Sequence, residues 1–163
     1  MTTAENAIRK QLVELLRGEQ AHATFEDVVK NFPPKLRGVA PTGLPYSAWQ
    51  VLEHIRIAQD DIVRFSMNHD GAYHSPQWPE GYWPASAAPA DSKSWEHSVQ
   101  QVQSDRDKMI RLVNDPASNL LSPFPWGEGQ NLLREAMLVA DHTSHHLGGL
   151  IVIRRLLGAW PAK

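Results

Sequence analysis

Four stretches of the chain carry apolar side chains at helical intervals, and the segments between them show no period of either kind. From Ala4 to Arg17 the positions Ile8, Leu12 and Leu15 form a stripe, and Gly18 is placed to end it. Thr24 is a cap for a short continuation through Phe25, Val28 and Val29, after which Pro33, Pro34, Pro41, Gly43 and Pro45 predict an irregular connection. Ser47 followed by Gln50 reads as a capping box, in which each side chain meets a free amide near the other. Beyond it Val51, Ile55, Ala58, Ile62 and Phe65 share one face of a helix that runs to about Asn68, where Asp70-Gly71 breaks the pattern. His69 to Ala90 holds four prolines with Trp78, Tyr82 and Trp83 and no period, the kind of long loop that serves as a lid or a binding wall. Trp95, Val99, Val102, Met109 and Val113 give a third stripe, with Arg106 where an apolar residue is expected and Asp115-Pro116 closing the helix. Asn131 caps a last helix on which Leu132, Ala136, Val139, His146, Leu150, Ile153 and Leu157 line one face. It ends near Gly158, with Arg154 and Arg155 at the negative end of its dipole. Four long helices and no alternating strand pattern predict an all-α fold, a four-helix bundle with a long irregular loop between helices two and three. A single domain over residues 1–163 is expected.

Composition narrows the function more than the fold. The 163 residues include 16 basic and 18 acidic side chains for a formal charge of -2, and the positive ones are scattered, which argues against a nucleic-acid partner. The absence of cysteine excludes disulfide frameworks, thiolate zinc sites and a cysteine nucleophile. The opening MTTAENAIRKQ is too polar for a signal peptide and no apolar run is long enough for a bilayer, so a cytoplasmic location without membrane contact is expected.

Histidine is where chemistry is most concentrated. His142 and His146 are one helical turn apart, so their rings can converge on one point. His146 lies on the apolar stripe and His142 on the flank of Val139, which turns both towards the interior, where imidazole nitrogens need partners. His54 flanks the inward stripe of the second helix and is placed to face them from across the bundle. Two readings stand at this point: three imidazoles holding a divalent ion with open positions for water or substrate, or a hydrogen-bonded histidine cluster without metal. Asp61, two turns beyond His54, is a candidate to orient a ligand or else a surface charge near Arg64; Asp141 and His145 border the pair, with His145 directed about a third of a turn away. Other chemistries lack their patterns: no Glu follows the first histidine as in the helical zinc proteases, and Glu19 to His22 is the lone Glu-x-x-His step where a di-iron bundle needs two. Nor is there a glycine-rich phosphate loop or a serine in a hydrolase elbow.

With these residues in view, the sequence resembles the DinB-like family of metal-binding four-helix bundles, which includes YfiT-like and bacillithiol-transferase-like proteins. The segment AHATFEDVVKNFPPKLRGVAPTGLPYSAWQVLEHIRIAQDDIVRF is similar to the family's first half, PQWPEGYWP to its loop, and LLREAMLVADHTSHHLGGLIVIRRLLGAW to its last helix. The resemblance implies that His54, His142 and His146 bind a divalent metal, zinc or nickel, and that the protein is a homodimer acting on a small molecule. Characterised relatives activate a low-molecular-weight thiol for transfer to an electrophile, so the expectation is a metal-dependent enzyme, a thiol transferase or a hydrolase, in which Trp78, Tyr82 and Trp83 are either a pocket wall over the open coordination site or a packed aromatic cover on the bundle. The alternative is a stress-related bundle that binds metal or a small ligand without turnover. One departure is visible: Leu147-Gly148-Gly149 follows His146 where Leu-Gly-Gln is common in the family.

Overall fold

Every predicted helix begins at a side chain that caps it. In the computed structural model, which describes residues 2–160, the long helices are α1 (Thr3–Arg17), α3 (Ala48–Ser66), α4 (Ser92–Asn114) and α5 (Leu132–Leu156), with a short α2 (Phe25–Val29) between the first two. Thr24 and Ser47 each form a complete capping box, while Thr2, Asp91 and Asn131 accept a single first-turn amide. Gly18 ends α1 at φ 73°, a left-handed conformation in which its amide reaches the carbonyls of Glu14 and Leu15. Among the described residues no helix is long and apolar enough to cross a membrane.

α3 lies against both α4 and α5, and α1 packs on the same two helices from the other side. The core divides into two apolar clusters stacked along the bundle. One joins α2 to the first half of α3, the first half of α4 and the second half of α5 through Phe25, Leu52, Ile55, Trp95, Val102 and Leu150. The other joins α1 to the remaining halves through Leu12, Leu16, Val63, Met109, Val113 and Ala136. Leu52, Ile55, Met109 and Val113 are fully buried, and each such side chain contributes about 1.5–3 kcal/mol. α5 passes from the second cluster to the first between Ala140 and Leu147, so His142 and His146 sit at the seam.

The buried face of α1 differs from the expected one. Arg9, Leu12, Val13 and Leu16 face inward, whereas Ile8 and Leu15 are 39% and 50% exposed. The buried set follows the i, i+3, i+4, i+7 pattern once Arg9 is admitted to it. What admits it is the end of α4 and the turn that follows: the Arg9 guanidinium donates to the carbonyls of Val113, Asp115 (3.0 Å) and Ser118 (2.5 Å). Arg154 does the same for α2, donating to Val28 (2.6 Å) and Lys30 (3.0 Å) as well as to Ala159, so its role is to bind two segments together as well as to complement a dipole.

The excursion between α3 and α4 is irregular apart from one 3-10 turn at Glu80–Tyr82. It is closely fitted. A Cβ on Gly81 would stand 2.8 Å from Pro76 Cβ, and one on Gly38 would stand 2.4 Å from Ala88 Cβ, so the loop touches itself and the earlier connection where only glycine fits. The Ser47 hydroxyl donates to the Ala87 carbonyl at 2.5 Å, fastening the returning strand of the loop to the start of α3.

Candidate metal centre

Three imidazoles from two helices meet at the seam of the core. His54 comes from α3 and is 5% exposed; His142 and His146 come from successive turns of α5. One nitrogen from each ring lies within 4.8 Å of the other two, and Nε2 of His142 is 3.1 Å from Nε2 of His54. Nitrogens held tetrahedrally at zinc bond lengths stand roughly 3.3 Å apart, so the His54–His142 pair already has the spacing of two ligands on one ion. The same 3.1 Å also accommodates a single shared proton.

A backbone atom selects the tautomer. His54 Nδ1–H donates to the carbonyl of Tyr82 at 2.9 Å, which leaves Nε2 without a proton and turned towards His142. Trp83 stacks on the His54 ring at 4.0 Å with planes 3° apart, and Tyr46 stacks on Trp83 at 4.2 Å. The loop thereby holds the imidazole both by its edge and by its face.

Burial pushes all three rings away from protonation. His146 is lowered to about 3 and His142 to about 4, by burial first and then by the neighbouring imidazoles; His54 is lowered by burial against the opposing bond to Tyr82. At neutral pH the cluster therefore consists of uncharged rings, the form that ligates a metal.

The other candidates fall into distinct places. Asp61 accepts from the phenols of Tyr82 at 2.7 Å and Tyr73 at 2.9 Å, so both its oxygens are engaged and its link to His54 runs through Tyr82. Burial and this carboxylate raise both phenols, Tyr82 to about 12, which keeps them protonated as donors. Trp83 lies against the triad, Tyr82 supplies the carbonyl, and Trp78 stands off at 73% exposure with its ring 5.4 Å from that of Tyr82. His145 contacts His146 edge-on at 4.8 Å and is exposed, as is Asp141, whose charge acts on His142 by raising its pKa. Sequence reasoning did not find Tyr46, Tyr73 or the Tyr82 carbonyl. The last leaves no side-chain signature, and Tyr46 and Tyr73 lie in segments without any period, one before α3 and one after it.

The family model of the DinB superfamily matches residues 17–150, a span that contains all three histidines. Comparisons with curated proteins and with solved structures give no match.

Proposed function

The chain belongs to the DinB superfamily, and on that footing we propose that it is a metal-dependent enzyme in which His54, His142 and His146 hold one divalent ion, zinc or nickel. The observation that carries this reading is the meeting of three uncharged imidazoles within 4.8 Å, one of them fixed in its tautomer by a carbonyl. Three neutral nitrogen donors suit these ions and leave coordination positions free, as in catalytic rather than structural sites. A divalent ion held by these three histidines would lower the pKa of a bound thiol or water and so supply a nucleophile at neutral pH. Within the proposal the substrate is a small electrophile and the nucleophile a low-molecular-weight thiol, because the chain has no cysteine of its own.

The protein's own residues have separate tasks. His54 keeps Nε2 directed inward because its Nδ1–H donates to the Tyr82 carbonyl. Trp83, stacked on that ring, keeps it from rotating and excludes water from one side. Asp61 holds the hydroxyl of Tyr82 and thereby the carbonyl at the far side of the same residue. The proposal includes a homodimer.

Metal analysis of untagged protein, followed by a thiol-consumption assay with a panel of electrophiles, tests the reading. About one ion per chain, thiol consumption, and loss of both in His142→Ala are the expected results. Bound metal without turnover of any thiol would favour the rival reading, a binder that does no chemistry, and unchanged metal content in His142→Ala would remove the site itself.

A further inference from the structure

The outward side of α5 carries a continuous stripe of its own. At the helical repeat Met137, Asp141, Ser144, Gly148, Val152 and Arg155 follow one another along one line, opposite Val139, Leu150 and Ile153 in the core. Met137 and Val152 are 50% and 45% exposed, and Leu156 beside them is 58% exposed, so apolar surface lies at both ends of the line.

The glycines between those ends have no use within the chain. Gly148 and Gly149 interrupt the interior of a 25-residue helix, where glycine is less favourable than alanine. Neither has a positive φ, and no atom lies within 4 Å of a Cβ built on either one. A small residue that no turn and no neighbour requires leaves room for a backbone from outside, because the distance between two packed helices is set by the side chains at their contact.

Charge selects the direction of that second helix. Asp141 and Arg155 stand seven residues to either side of Gly148, two turns away on the same face. Among the described residues neither belongs to an ion pair. An identical helix laid antiparallel across Gly148 brings Asp141 opposite Arg155 of the partner subunit, and two-fold symmetry repeats the pair at the other end. A parallel pairing would set like charges together, and moving the crossing by one turn would lose both pairs. Packing and charge converge on the same point.

We propose that this face of α5 is where a second copy of the chain docks, in an antiparallel α5 pair that crosses at Gly148 and is tied at each end by Asp141 and Arg155. The inference rests on the homodimer of the proposed function and adds its surface, direction and register. His142 and His146 are turned inward from the same helix, so the pairing joins two complete triads without sharing a ligand.

Sedimentation velocity on the full chain over a concentration series tests it, with circular dichroism to follow the fold. The native chain is expected to sediment at twice its chain mass. Asp141→Arg places two arginines against each other at both ends and should weaken the dimer at least about tenfold, as should Arg155→Asp with two aspartates. The double variant Asp141→Arg/Arg155→Asp restores both pairs in reverse and should regain the native constant. Gly148→Gln fills the crossing with a better helix former, so it should give monomers of undiminished helix content. A native chain that is monomeric at the highest concentration tested would overturn this interface and the homodimer together, and zinc binding by the same sample would show that the metal reading stands apart from both. A dimer unaffected by Asp141→Arg and Gly148→Gln would keep the homodimer and overturn this face. A double variant no tighter than the single ones would overturn the register.

Discussion

Replacing Asp61 with Ala should weaken the proposed metal binding without touching a histidine. The substitution deletes the acceptor of two phenol bonds, at 2.7 Å from Tyr82 and 2.9 Å from Tyr73. Bonds to a charged group contribute about 1.5–3 kcal/mol each when sheltered. Both phenols are partly solvated and regain water, so a total loss of about 2 kcal/mol of stability is expected. The effect on metal follows a different path: Tyr82 freed at its hydroxyl holds its carbonyl less firmly, and His54 loses its orientation. Residues that act on a ligand through one intermediate commonly change affinity by about 10–100-fold, and the lower end suits a residue two bonds removed. Competition of the protein with a chromogenic chelator for zinc, run beside denaturant titrations, separates the two effects. Tyr73→Phe removes one phenol and should cost stability alone. Tyr82→Phe removes the other and should weaken zinc binding as Asp61→Ala does. If both Asp61→Ala and Tyr82→Phe retain zinc as tightly as the native chain, the carbonyl of Tyr82 does not depend on this tether and the argument fails.

Other outcomes follow from separate parts of the structure. In metal-free protein the three histidines have folded pKa values below the ordinary 6.5, so the unfolded chain takes up protons first. Stability should be complete above about pH 6.5 and fall as pH descends towards 4 and 3, and a flat profile of unfolding free energy between pH 7 and about pH 4 would contradict the burial of these rings. Leu52→Ala, at a position with no exposure, should cost about 2–5 kcal/mol in urea titrations. Arg154→Met leaves the carbonyls of Val28, Lys30 and Ala159 without their donor; a loss of about 2–4 kcal/mol is expected, measured by thermal unfolding, and a neutral variant would show that water replaces the guanidinium.

Where the chain folds into helices could be read from its caps and stripes, because both are local. Ser47 with Gln50 and Asn131 mark helix starts through bonds within one turn, and Asp115-Pro116 ends α4 through proline's restriction of the residue before it. The histidine triad was legible for a related reason: a one-turn spacing on α5 and one ring on the facing stripe of α3 need only the bundle to bring them together. Long-range bonds were not legible. Arg154 reads in the sequence as a charge that complements the dipole of α5 and Arg9 carries no signal, and only the carbonyls near the ends of α4 and α2 explain their burial. Asp61 reads as a carboxylate that orients a ligand or as a surface charge near Arg64, and its partners, Tyr73 and Tyr82, lie in a segment without any period.

A main-chain acceptor cannot be deleted by changing a side chain, and this shifts the constraint on the loop from residue identity to backbone shape. A position in this stretch to which the histidine triad is then sensitive is Gly81, which carries no functional group. A methyl group there would press on Pro76, where a Cβ has only 2.8 Å, and the displacement would reach the next peptide, whose oxygen receives the proton of His54. Beside the aromatic side chains that stack and tether, that turn must keep its path, so a survey of chemical groups alone would overlook a residue on which the site's alignment depends.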